Sequence, residues 1–264
     1  MFDPRLKDLI MEGRIYDLGQ PWYPGMPHHP LHPPFAFIMA RKHGDYLYEG
    51  GASSANELFT FGAHTGTHID AVGHISSDGI LFGGLRAEDV QSYRDGLKAL
   101  SIEETEPVFA RGVMLDVAGH KGVEVLEPAF PIDRSVIEEV MGRQGVEAGQ
   151  GDVVLVRTGW ARYWDDPQRF QDHRGCPGVT LDGARLLCEK GVAMVGSDTM
   201  AFEVTPTATL EVHVFLLVEK GIQIMEMLNL EELARDRVWE FLFVVIPLRI
   251  RGGTASPVRP VAVR

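Results

Sequence analysis

Between residues 112 and 198, three short apolar runs, GVMLDV, DVVLVRTG and VAMVGSD, alternate with segments of helical periodicity. This alternation restricts the fold more tightly than any other feature of the chain. Each run is short, rich in valine and bounded by polar or glycine residues, the pattern of a buried strand. Between the first two, Asp133 is placed to cap a helix with Val136, Ile137, Val140 and Met141 facing inward. A second helix, from about Leu181 to Lys190, leads through Gly191 into the third run. An almost wholly apolar helix, EVHVFLLVEKG, follows, then a short strand, IQIME, and then VWEFLFVVIPLRI, which reads as a long buried strand. The first half is richer in strand and loop. The expectation is an α/β fold, a mixed, curved, barrel-like sheet with flanking helices, formed by residues 1–264 as one domain. Asp3-Pro4 opens a first helix carrying Leu6, Leu9 and Ile10, ended by Gly13. A proline-rich arm, QPWYPGMPHHPLHPP, runs on to about residue 35 and is unable to pair as a central strand.

Within the strand-and-loop half, HTGTHIDAVGH (His64 to His74) gathers three of the ten histidines around one aspartate. Positions 64, 68, 70 and 74 are all even, so in an extended segment the four side chains project to one side. A helix would split them between two faces. Thr65, Thr67 and Ile69 favour the extended reading, and Gly66 and Gly73 weaken a helix. Imidazole nitrogen and carboxylate oxygen are the ligands that zinc, manganese and ferrous iron prefer. His64, His68 and Asp70 supply three ligands and leave positions open, as a catalytic site requires, with His74 available as a fourth ligand or as a base. His213 and Glu226 also lie in apolar surroundings and need partners there, either each other or an ion. His28, His29 and His32 of the arm read as an exposed loop, and His120 and His173 as ordinary histidines.

Composition narrows the partners. The net charge is −12 and there is no lysine or arginine run, which disfavours nucleic acid and anionic membrane. No stretch approaches the roughly 20 apolar residues of a bilayer span. The opening MFDPRLKDLIMEGR mixes charge with short apolar steps, so a cytoplasmic location is expected. Cys176 and Cys188 make no disulfide framework.

The motif resembles the His-x-Gly-Thr-His-x-Asp-x-Pro-x-His signature of the family named Putative cyclase, which includes bacterial kynurenine formamidases and isatin hydrolases. The resemblance extends through DVVLVRTGW, GVAMVGSDT, EVHVFLLVEKGIQIMEMLNLEEL and FVVIPLRIRGGTASPVRPVAV, in the expected order. Two departures stand out. Val72 replaces the signature proline, and His213 and Glu226 are thirteen residues apart, one more than in the formamidases.

The resemblance implies an α/β fold with a barrel-like sheet, assembled as a homodimer or homotetramer. It implies a divalent metal, zinc or manganese, on His64, His68 and Asp70, with His74 as proton shuttle. His213 and Glu226 match positions that bind a second metal in the formamidase branch. The two departures favour one tightly held ion per chain, with this pair as second-site or hydrogen-bonding groups. Trp22 matches an aromatic lining the substrate pocket; with Tyr23 it points to a flat aromatic ligand, although both could instead pack at a subunit interface. The implied reaction is hydrolysis of an amide or lactam of a small molecule by a metal-activated water. Arylformamidase action on N-formylkynurenine and lactone hydrolysis are the alternatives. Two rivals from other classes are a metal-stabilised binding protein and an iron oxygenase built on His68, Asp70 and His213 with Arg249 or Arg251.

Overall fold

The valine-rich runs form the centre of a nine-stranded sheet in the computed structural model, which describes residues 13–264. The helix expected around Leu6 to Ile10 lies outside the described residues. The strands are β1 (Ile15–Asp17), β2 (Ala36–Arg41), β3 (Asn56–Thr60), β4 (His68–Asp70), β5 (Val108–Asp116), β6 (Val153–Arg157), β7 (Met194–Ser197), β8 (Gln223–Glu226), β9 (Glu240–Val245), β10 (Ala255–Pro257) and β11 (Val261–Val263). The large sheet runs β1-β11-β9-β5-β6-β7-β8-β4-β10. Strands β5 to β8 are mutually parallel, and every other pairing within this large sheet is antiparallel. The sheet is therefore mixed, and it curls into a half-barrel.

Parallel neighbours need crossover connections, and these are the helices expected from the sequence. Helix α1 (Arg134–Gln144) joins β5 to β6 and α2 (Leu181–Glu189) joins β6 to β7. The Asp133 side chain accepts from the Val136 amide, and the Thr180 side chain does the same for Gly183. Between β7 and β8 the apolar helix begins as one α-helical turn, α3 (Glu211–His213), and widens into a π-helix over Val214–Lys220. Ile137, Val140, Leu187 and Leu216 from these helices bury one face of the central strands. Ile69, Met114, Leu155, Met225 and Phe243 fill the other face, inside the curl. Burial on both faces is why the central strands read as unbroken apolar runs.

Two expectations need correction. VWEFLFVVIPLRI is not one long buried strand: β9 stops at Val245, and Ile246, Leu248 and Ile250 are exposed. Pro247, which has no amide hydrogen, cannot continue the ladder. The stretch from His64 to His74 is extended only over β4; a turn precedes it, and a 3₁₀ turn, Val72–His74, follows. Strands β2 and β3 pair only with each other, in a ribbon exposed along both strands.

Candidate metal centre

Strand β4 is short, and its neighbours decide what its side chains meet. Register pairs His68 with Glu226 on β8, while Asp70 pairs with Ala255 on β10. Alternation sends His68 and Asp70 to one face and Ile69 into the core. Before the strand, Gly66 reverses the chain with φ +68, and a Cβ there would lie 2.7 Å from the Trp22 indole. The Thr67 hydroxyl fixes the turn, donating to the Met227 carbonyl (2.6 Å) and accepting from the Gln20 amide (2.9 Å). The 3₁₀ turn then swings His74 back until its ring lies 3.9 Å from that of His64. The four groups converge through two turns around a short strand, not along one extended face. Val72 opens the 3₁₀ turn, a position that suits proline as well as valine, so its departure from the signature leaves the turn intact.

Asp70 is the hub. His64 Nδ1 is 2.8 Å from Asp70 Oδ1, and His68 Nε2 is 3.4 Å from the same oxygen and 3.5 Å from Glu226 Oε2. His68 Nδ1 lies 2.8 Å from the Gly66 carbonyl. A carbonyl only accepts, so Nδ1 carries a hydrogen, and Nε2 is the atom that faces the carboxylates. Both His68 Nε2 and Asp70 Oδ1 are buried without a hydrogen-bond partner; the close approach of His64 lacks hydrogen-bond geometry. Unpaired buried polar atoms are costly, and here they point at one another across a gap that a cation fits. Two overlapping groups have ligand atoms close enough to share an ion, His64–Asp70–His74 and His68–Asp70–Glu226.

Burial disfavours charge on Asp70, but His74, His64 and His68 outweigh it and hold its pKa well below the carboxylate range. Burial also drives His74 down to about 3, offset only in part by Asp70, so its imidazole is neutral at pH 7. The balance is opposite at His213, whose pKa rises to about 10 because hydrogen bonds to Glu203 and Glu226 overcome burial.

His213, in α3, has Nε2 3.2 Å from Glu226 Oε1, so the expected pair does form and joins the cluster through His68. Glu203 was not singled out in the sequence. Nothing near it in GSDTMAFEV distinguishes a buried acid from a surface one, yet it is 1% exposed and bonded to His213. The expectation of an exposed arm also fails at His29 and His32, which are half-buried. Both line a cavity of about 530 Å3 together with His64, His74, His213 and Glu226. The arm is pinned there by Tyr23 Oη donating to the Trp164 carbonyl (2.7 Å), by Trp164 Nε1 donating to the Pro21 carbonyl (2.9 Å) and by Gln171 donating to the His28 carbonyl. His173 reaches the same cavity, and Phe170, Met200 and Leu210 make part of its wall apolar. Trp22 and Tyr23 are not part of it: they line a separate notch of about 450 Å3 with Phe35, Phe37 and Phe59. Arg249 and Arg251 are exposed and absent from the cavity, so the oxygenase arrangement does not form.

The family described as Putative cyclase matches residues 16–204, well over half of the chain. The chain is 28% identical to a kynurenine formamidase of Sphingopyxis alaskensis over 94% of its own length and 97% of that protein. It is 24% identical to an isatin hydrolase of Roseibium aggregatum, covering 85% and 80% of the two chains. A crystal structure of a novel cyclase superposes with a TM-score of 0.88 at 29% identity, over 99% of this chain and 90% of that one.

Proposed function

Because this chain belongs to the Putative cyclase family, we propose that it is a metal-dependent hydrolase that cleaves the carbon–nitrogen bond of a lactam or N-acyl amide in a small aromatic molecule. The observation that carries this reading is the pair of buried, unpartnered atoms, His68 Nε2 and Asp70 Oδ1, facing each other beside an open cavity. The donor set of imidazoles and carboxylates suits zinc or manganese. His64, His68 and Asp70 hold one ion tightly, and Glu226 and His213 serve as hydrogen-bonding or weaker second-site groups.

A divalent ion held there by His64, His68 and Asp70 would polarise a substrate carbonyl and acidify a water. Asp70 stays ionised, as its lowered pKa requires. His74 is neutral and borders the cavity, so its imidazole is free to take a proton from the attacking water and return it to the leaving nitrogen. Phe170, Met200 and Leu210 cover the aromatic part of the substrate and keep bulk water away. An N-formyl aryl amide fits the same chemistry, and the formamidase relative favours including it.

A panel of isatin, N-formylkynurenine, simple lactones and cyclic imides tests the reading with metal-loaded protein. Turnover should vanish with EDTA, return with Zn²⁺ or Mn²⁺, and be lost with the metal in Asp70→Ala. Full metal content in Asp70→Ala, by elemental analysis, would rule out the assigned ligand set. A homodimer, proposed with it, is supported by the exposed apolar residues Ile38, Leu58 and Phe59 of the β2–β3 ribbon; light scattering measures it directly. Among the described residues no helix is long and apolar enough to cross a membrane.

A further inference from the structure

Among the described residues, Glu203 is the buried carboxylate beside the cluster that does not itself face Asp70 or His68. It sits where the chain leaving β7 runs alongside Gly178-Val179. Its backbone is clamped on both sides, by the Val179 amide donating to the Phe202 carbonyl (2.9 Å) and the Val204 amide donating to the Val179 carbonyl (3.2 Å). The contact is so close that a Cβ on Gly178 would lie 2.3 Å from the Glu203 backbone. The carboxylate is thus delivered by a rigid segment, not by a loop free to adapt.

Burying a carboxylate is costly unless it is paired, and both donors to Glu203 come from a single residue. Its Oε1 accepts from the His213 backbone amide (3.2 Å) and from His213 Nδ1. A carboxylate accepts only, so Nδ1 carries the hydrogen and the ring plane is fixed. Nε2 is then the atom presented to Glu226 Oε1 (3.2 Å), which is itself held by the Phe202 amide (3.0 Å). A histidine whose far nitrogen donates to a buried carboxylate is the usual arrangement of a metal ligand: the partner sets the tautomer and raises basicity at the ligating nitrogen.

We propose that Glu203 is a positioning residue for the weaker second site of the metal centre, acting through His213 by holding Nδ1–H and aiming Nε2 at Glu226 Oε1. The proposal rests on the metal-centre reading above. It is distinct from a merely structural role, in which Glu203 would stabilise the start of α3 and leave ion binding unchanged.

The test is a double-mutant cycle on the full-length protein, stripped of metal and titrated with Mn²⁺ by calorimetry. Glu203→Gln should weaken the second, weaker Mn²⁺ site about 10–100-fold and leave the tight ion unchanged. In a His213→Ala background the same substitution should change the affinity less than about twofold, because the residue it acts through is gone. Glu203→Asp keeps the charge but retracts it from Nδ1, and should also weaken Mn²⁺; it provides a second readout if the Gln variant does not fold. Wild-type affinity at the second site in either variant overturns the proposal, as does equal weakening with and without His213. A wild-type protein that binds no Mn²⁺ removes the metal centre and this role together, whereas tight wild-type binding with an indifferent Glu203 removes this role alone.

Discussion

Gly66→Ala tests how the metal loop is held. Gly66 has φ +68, in the left-handed region, where an alanine costs about 1–2 kcal/mol. The added Cβ would also lie 2.7 Å from the Trp22 indole. That ring has little room to retreat, because Phe35 and Phe61 meet it edge-on at centroid distances of 5.3 and 4.8 Å. Overpacking of this kind costs about 1–3 kcal/mol. Together the two effects predict a loss of about 2–5 kcal/mol, or a fall in Tm of roughly 5–15 °C. A functional effect should accompany it, since the Gly66 carbonyl accepts from His68 Nδ1 and so orients the ligand; metal affinity should drop about 10–100-fold. Differential scanning calorimetry and Mn²⁺ titration measure the two effects separately. In a Trp22→Ala background the steric part disappears and only the left-handed cost of about 1–2 kcal/mol remains. A Gly66→Ala protein with unchanged Tm and unchanged metal affinity would refute the reasoning.

His74→Ala should retain the metal while losing about 10²–10⁴-fold in turnover; parallel loss of metal, by elemental analysis, would make His74 a ligand instead. The metal-free protein should be most stable near pH 6.5. Below that, His74, whose folded pKa is about 3 against 6.5 unfolded, refuses a proton that the unfolded chain accepts, so stability falls as pH drops. Above it, His213, whose folded pKa is about 10, contributes stability that is fully present below pH 6.5 and is lost as pH rises through 10. Each limb has a slope of about 1.4 kcal/mol per pH unit. Urea midpoints at pH 5, 6.5 and 9 measure both limbs; His74→Ala should flatten the acid limb, and a flat wild-type profile would contradict both assignments.

What was legible in the sequence follows from how local each signal is. The central strands and their covering helices were readable because burial on both faces leaves uninterrupted runs such as Val153 to Val156, and because Asp133 marks a helix start in the chain itself. Grouping of His64, His68, Asp70 and His74 was readable from spacing, but the way they converge was not: Gly66 and the 3₁₀ turn replace most of the inferred strand. The π-helix after His213 shares its apolar pattern with an α-helix, so periodicity alone does not separate them. Glu203, His29 and His32 owe their places to partners far along the chain, His213, Gln171 and Trp164, and no local pattern announces such contacts.

Strand β4 lies between β8 and β10, so the segment carrying His68 and Asp70 pairs with Met225 and Glu226 on one side and with Ala255 to Pro257 on the other. On the ribosome, His64 to His74 emerge early and wait for both of these partners to be synthesised. A nascent chain that already has its central strands and covering helices still lacks the last border of its ligand strand. The ligand strand therefore cannot gain its second border until residues 255–257 have been synthesised.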